Sequence, residues 1–515
     1  MKQKGNILLG VMCIVMLLVV SGYGRIQTKA AGKNKYFLSG QLYYKTVSDS
    51  KVEVCGTKTT EGTLIIPGKV SYKGKNYTVT GIANHKPYYQ DVPVTEKTAD
   101  GACVDIDFPG WKYYRYDRAD GKSFPNGVEW ISNCGIKKVV FPSTLTYIGD
   151  GAFGGCTKLK TVTFAKKYKK LVIGKNAFNG KKIKKIVFPE GTSELKENAA
   201  GVTPDIIIPA TVKKIDAGVI NYKTKNVTIS KKNKKFKMKK GILYTKDERK
   251  LLGVSARAGE NIKISNKTVL IGENAFAKSR VKKVALSSRI TQIPKGAFAG
   301  CSKLETVTGT ENVTEIGYAA FEGCTKLTGI GIMPALKKIG RAAFWNVNNL
   351  KLTVSSGMDI DNYAFSGTGY STSVKVKVPE HDSKYAYVNG LLIKTEGENK
   401  TVIMQDADME KIEVPEGVTE AAVKLGSEKC REIILPLSLE VQSGRFTVNA
   451  GTITFKNPAV PVFKEDFDIR NSGTNPAVVI VPAGSLAKYR DTMNRIVMKR
   501  DDIELFNDNL VIREQ

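Results

Sequence analysis

The sequence predicts a repeat solenoid, mainly β, in which short strands alternate with tight turns. Three observations predict it. First, nearly the same fifteen residues recur as "IGDGAFGGCTKLKTV" from Ile148, "IPKGAFAGCSKLETV" from Ile293 and "IGYAAFEGCTKLTGI" from Ile316. Second, an Ala-Phe pair returns at Ala152-Phe153, Ala177-Phe178, Ala275-Phe276, Ala297-Phe298, Ala320-Phe321, Ala343-Phe344 and Ala364-Phe365. Third, "LKTVTF" from Leu159, "IKKIVFP" from Ile183 and "VKKVAL" from Val281 alternate apolar with polar residues, the period of a half-buried strand.

Each element follows from these. Where the run is unbroken, the Ala-Phe pairs lie about 21–25 residues apart, and the mean coil is about 22–23 residues, the period of a leucine-rich solenoid. Degenerate copies ending at Ala200 and Ile220 keep that period through the gap. The strand half buries one face. The "IGDGAF" half is a turn or one 3-10 turn, in which Gly supplies unusual backbone angles, Ala allows close approach and Phe fills the core. No unit buries its apolar residues alone, so the sequence repeats because a stacked core repeats.

The motif I-G-x-x-A-F-x-G-C-x-K-L-x-x-V resembles the BspA-type leucine-rich repeat of secreted and surface bacterial proteins. Four flanks add to the resemblance: "GTLIIPGKVSYKGKNYTVTGIA" from Gly62 as the opening of such an array, "FKMKKGILYTKDERKLLGV" from Phe236 and "YAYVNGLLIKTEGENKTVIM" from Tyr385 as hairpins that interrupt it, and "VVIVPAGSLAKYRDTM" from Val478 as its closing unit. The resemblance implies an adhesion or binding module with no cofactor. It does not name a ligand.

The expected organisation is a signal peptide over 1–30, a cap or first repeat with an aromatic-rich insertion over 31–135, and repeats over 136–235. A hairpin over 236–260, repeats over 261–380, a second hairpin over 381–410, and closing repeats and cap over 411–515 complete it. Lys2 and Lys4 precede an apolar run from Ile7 to Val20, about fourteen residues and short for a membrane span, so the membrane enters only if this segment stays uncleaved. The expectation is a secreted or wall-associated protein of a Gram-positive bacterium.

Eight cysteines are few for an exported chain of 515 residues. Cys156, Cys301 and Cys324 hold one position in three repeats and read as small buried side chains, as does Cys430. Cys55, Cys103 and Cys134 lie outside the regular repeats, with Cys103–Cys134 the first pairing to consider. With two histidines and no CxxC, no metal site is expected.

The formal net charge is +31, about +27 once the four cations of the leader are removed. Such a field draws polyanions. For an exported chain these are an anionic cell-wall polymer or acidic surface glycans, and nucleic acid is not the expected partner. Lys166, Lys167, Lys169 and Lys170, then Lys181, Lys182, Lys184 and Lys185, flank strand positions and are candidates for a basic stripe down one side. A solvated face that keeps the chain soluble explains them equally.

The segment 83–135 interrupts the array with nine aromatic residues. Trp111, Tyr113, Tyr114, Tyr116 and Trp130 are candidate ligand contacts, since flat rings with polar tips suit a sugar face or a host protein surface. A lid with its rings turned inward is the competing reading. Catalysis has little to stand on: His85 and His381 have no partner motif, and Asp105 and Asp107 are the sole carboxylate pair offered for a wall-glycan hydrolase. The protein is therefore expected not to be an enzyme.

Overall fold

The computed structural model describes residues 36–59, 61–84, 129–130, 135–180, 182–347, 350–354, 357–365, 375–406, 409–423, 425–427, 429–442, 446–448, 451–463, 469–471, 477–497 and 510–515. Alternation in the repeat half becomes strand: in Lys283–Ala285 the central Val284 is buried and Lys283 faces solvent. Each coil adds two short strands to two separate parallel ladders. One ladder runs through Asn261–Lys263, Lys283–Ala285 and Thr306–Thr308. The other runs through Gln292–Ile293, Glu315–Ile316, Lys338–Ile339 and Asp359–Ile360. The chain is a mainly β solenoid of stacked leucine-rich coils with very little helix.

The Ala-Phe turn forms a third line of contact. The amides of Phe276, Phe298 and Phe321 donate to the carbonyls of Ala297, Ala320 and Ala343, each one coil further on, at 2.8 Å. The pair is thus a hydrogen-bond ladder as well as a core filler. The rings stack in a column, Phe276–Phe298–Phe321–Phe344–Phe365, with centroids 4.7, 5.2, 5.6 and 5.8 Å apart. Beside it lie Cys301 and Cys324, both fully buried. Their thiols donate to the carbonyls of Phe276 (3.0 Å) and Phe298 (3.2 Å), one coil back. Burial pushes the Cys301 thiol up to about 11, which keeps it protonated and unreactive. Cys156 and Cys430 are also buried core residues. Cys55 is buried 3.4 Å from the Tyr43 carbonyl, and Cys103 and Cys134 lie outside the described residues.

Three antiparallel meanders punctuate the coils. They are Tyr36–Ser39, Leu42–Ser48 and Lys51–Thr57; then Phe236–Lys239, Ile242–Thr245 and Lys250–Val254; then Tyr385–Val388, Leu391–Glu396 and Asn399–Gln405. They are equivalent position by position. Each first turn spans two residues, and each second pairing shifts register at the same point, after Tyr43, Leu243 and Leu392. In each, the third strand then pairs in parallel with the following coil, at Thr78–Ile82, Leu270–Ile271 and Glu420–Ala421. The second meander therefore carries the stack onward. Gly218 N–H donates to Leu252 O (3.3 Å) and Val254 N–H to Ala275 O (2.9 Å), so its third strand is itself one coil.

The closing helix, Leu486–Val497, docks through Tyr489, which is fully buried and donates its hydroxyl to the Asn457 carbonyl at 2.7 Å. Among the described residues no helix is long and apolar enough to cross a membrane.

Candidate binding surface

Because the apolar residues of the coils are buried in three successive core clusters, chemistry is left to the outward rows. Of the aromatic candidates, Trp111, Tyr113, Tyr114 and Tyr116 lie outside the described residues, as do His85, Asp105 and Asp107. The backbone of Glu129–Trp130 pairs antiparallel with Gly56 and Thr57, which ties the end of the insertion to the first meander. His381 sits exposed at a turn with φ 58°.

The lysine candidates do not share one row. Lys167, Lys169 and Lys170 stand on the strand Lys167–Ile173, which pairs with Tyr147–Ile148 and Glu190–Leu195 in one ladder. Lys184 and Lys185 stand at the strand Lys185–Val187 of the other ladder. The single stripe drawn from sequence is corrected to two exposed clusters. The reason is that the first cluster begins the turn-side strand of its coil and the second begins the alternating strand of the next. Lys166 and Lys182 are exposed beside them, and Lys181 lies outside the described residues. Register also dilutes the charge: Lys185 is followed in its row by Asp205, and Lys167 faces Glu190.

Two polar features went unseen in the sequence. At the third meander, Lys394 is buried at 5% exposure, and its Nζ donates to the Ile360 carbonyl (2.8 Å), Glu396 (2.8 Å) and Asn362 Oδ1 (3.3 Å). This lysine bolts the meander to the preceding coil. Beside it opens a cavity of about 340 Å³ lined by Lys338, Asp359, Asp361, Asn362, Tyr363 and Glu396. The second feature is the coil corner two residues before the Ala-Phe pair. In the first array Asp150, Lys175 and Glu197 occupy it, with Lys175 2.7 Å from Glu197 and Lys196 3.9 Å from Asp150. In the second array the position reads Glu273, Lys295, Tyr318, Arg341 and Asn362, and Tyr363, one place on, takes the corner's backbone contact by accepting from Ala342 N–H. Lys295 Nζ lies 5.5 Å from the Tyr318 ring centre, and the Arg341 guanidinium 4.6 Å from that of Tyr363. Aligning that one column of the repeats would have shown Lys, Tyr and Arg on three successive coils.

Among the described residues no group of three or more His, Cys, Asp or Glu side chains could hold a metal ion.

A family model described as the BspA type leucine-rich repeat region matches residues 128–240 and 256–374, in six copies. These are BspA-type leucine-rich repeats. Proteins built from BspA-type repeats are bacterial surface proteins, often adhesive and typically without catalysis. No curated protein shows a significant match. The chain is similar to solved structures. One is a leucine-rich cell surface protein from Faecalibacterium prausnitzii, with 18% identity, TM-score 0.40, and coverage of 68% of this chain and 96% of that one. Another is the pneumococcal vaccine antigen PcpA, with 15% identity, TM-score 0.36, and coverage of 94% and 99%. A third is a leucine-rich repeat protein from Eubacterium ventriosum, with 19% identity, TM-score 0.38, and coverage of 69% and 98%.

Proposed function

We propose that this BspA-type chain is an exported binding protein that adheres to a host or cell-surface ligand through the outer face of its solenoid. One observation carries the reading: parallel register lines up exposed side chains coil after coil, as in the row Gln292–Glu315–Lys338–Asp359. Neighbouring strands lie about 4.8 Å apart, so a ligand lying along the row touches every coil. Contact of this kind gains from many weak interactions and needs no reacting group.

A second reading rests on the exposed lysines 166, 167, 169, 170, 182, 184 and 185: retention on an anionic wall polymer. Co-sedimentation of the purified chain with Gram-positive cell walls, and separately with host cells, over a salt series separates the two. Wall binding lost by about 0.5 M salt marks charge retention, because exposed charges are screened beyond about 10 Å already at 0.1 M. Host-cell binding that persists at that salt marks adhesion. A chain that stays in every supernatant sinks both.

A further inference from the structure

The corner row of the second array holds a recognition element that the first array lacks. Lys295, Tyr318, Arg341 and Tyr363 follow one another on four successive coils. Backbone bonds tie these corners together: Gly296 N–H to Tyr318 O (2.9 Å), Ala319 N–H to Arg341 O (3.0 Å) and Ala342 N–H to Tyr363 O (3.0 Å). Lys295, Tyr318 and Arg341 are exposed, Tyr318 at 43%. Neither Lys295 nor Arg341 forms an ion pair with a described carboxylate. Each spends its charge on a ring face, an interaction worth about 0.5–1 kcal/mol at an exposed site, and so keeps its donors for a ligand. The two cations stand two coils apart, about 10 Å, with a tyrosine between them.

From this ridge and the cavity at its end, we infer a binding site for an acidic polysaccharide in which charged and uncharged sugars alternate. The cations would meet sugar carboxylates at that spacing, and the edge and free face of Tyr318 would meet the apolar face of the sugar between. The cavity decides for a sugar over a nucleic acid. Its polar lining includes Asp359, Asp361, Asn362 and Glu396, acceptors that suit the several hydroxyl groups each sugar offers and a DNA strand lacks. Two of its three carboxylates have lysines at hand: Lys384 lies 3.9 Å from Asp359 and Lys394 pairs with Glu396, while Lys338 on the wall lies 3.6 Å from Glu315. A partly charge-compensated, hydroxyl-accepting open depression of about 340 Å³ is of the size that takes one end of a chain.

This inference names the ligand class for the surface-binding reading above and rests on it. The test measures retention of the purified chain on immobilised hyaluronate, which carries one carboxylate per disaccharide, with dextran and poly-dT as comparisons. The expected result is binding to hyaluronate over both. Tyr318→Ala and Arg341→Gln should each weaken it about tenfold, a change equivalent to about 1.4 kcal/mol. Arg341→Lys should recover part of the loss, and Lys263→Gln, which removes equal charge from an exposed position on a different ladder, should leave affinity within about twofold. Unchanged urea midpoints would show that the exposed substitutions leave the fold intact. Equal loss from Lys263→Gln, equal affinity for poly-dT, or no binding to hyaluronate overturns the site. Failure on hyaluronate with retained host-cell binding sinks the glycan assignment alone. Hyaluronate binding without binding to any cell or wall sinks the surface reading alone.

Discussion

Between Phe276 and Phe365 the core is one column of rings, and the inner three are nearly parallel, at 2–3°. Between Phe153 and Ile220 the column stops after two members. Phe153 and Phe178 stack at 5.6 Å, and then Ala200 and Ile220 take the ring's place. A second line of rings runs along the opposite strand ends: Phe141 packs edge-on to Phe153, Phe164 packs edge-on to Phe178, and Phe188, buried in the coil of Ala200, stands where the column ring is missing. In the second array those ends hold Leu286 and Gly309 instead. The two arrays thus place their buried rings differently: the second in one column at the turn, the first at the turn and along the strand ends.

The largest effect expected from this contrast is Phe321→Ala. It opens a ring-sized hole in a fully buried column and should cost about 3–5 kcal/mol, read from urea unfolding. A loss under about 1 kcal/mol would show that the column collapses without penalty. Next is Ala200→Phe, which restores the motif where the volume is already filled. It should destabilise by about 1–3 kcal/mol through overpacking. A stabilising result would break the comparison, since the first array would then be merely underfilled.

The third test sits between the arrays, in the second meander. Glu248 is buried and accepts from Lys237 (2.7 Å), Lys239 (2.8 Å) and Ser265. These donors pull its carboxyl down to about 2. A depressed carboxyl contributes stability that is complete above its ordinary value of 4.5 and is lost as pH falls from there through about 2. Glu248→Gln should flatten that acid limb of the unfolding profile, and an unchanged limb would remove Glu248 as its source. The smallest effect is Glu197→Gln, which breaks an exposed pair with Lys175 and should cost a few tenths of a kcal/mol, about 0.5 at most.

The stacked architecture was legible because its marks recur: the alternating strand returns coil after coil, Ala-Phe in seven copies and the cysteine in three. The Ala-Phe hydrogen bond was not, since a backbone contact leaves no trace in side-chain type. The hairpins at Phe236 and Tyr385 announce themselves by Lys240-Gly241 and Asn389-Gly390. Their counterpart at Tyr36 turns on Gly40-Gln41, with the glycine one place earlier, and so hides the equivalence. The lysine clusters misled because spacing along the chain does not tell which of two ladders a strand joins. Tyr318 and Arg341 went unnoticed because each is unremarkable within its own coil, and the signal appears only down the column.

The three meanders also bear on the order in which the chain takes shape. Their pairings close loops of two to four residues, whereas each parallel coil must bring together positions some twenty residues apart. Pulse-labelled hydrogen exchange should therefore protect Ile242–Val254 before Phe298–Phe365, and the reverse order would count against it. On that order, each block of coils stacks onto a meander whose strands have already paired.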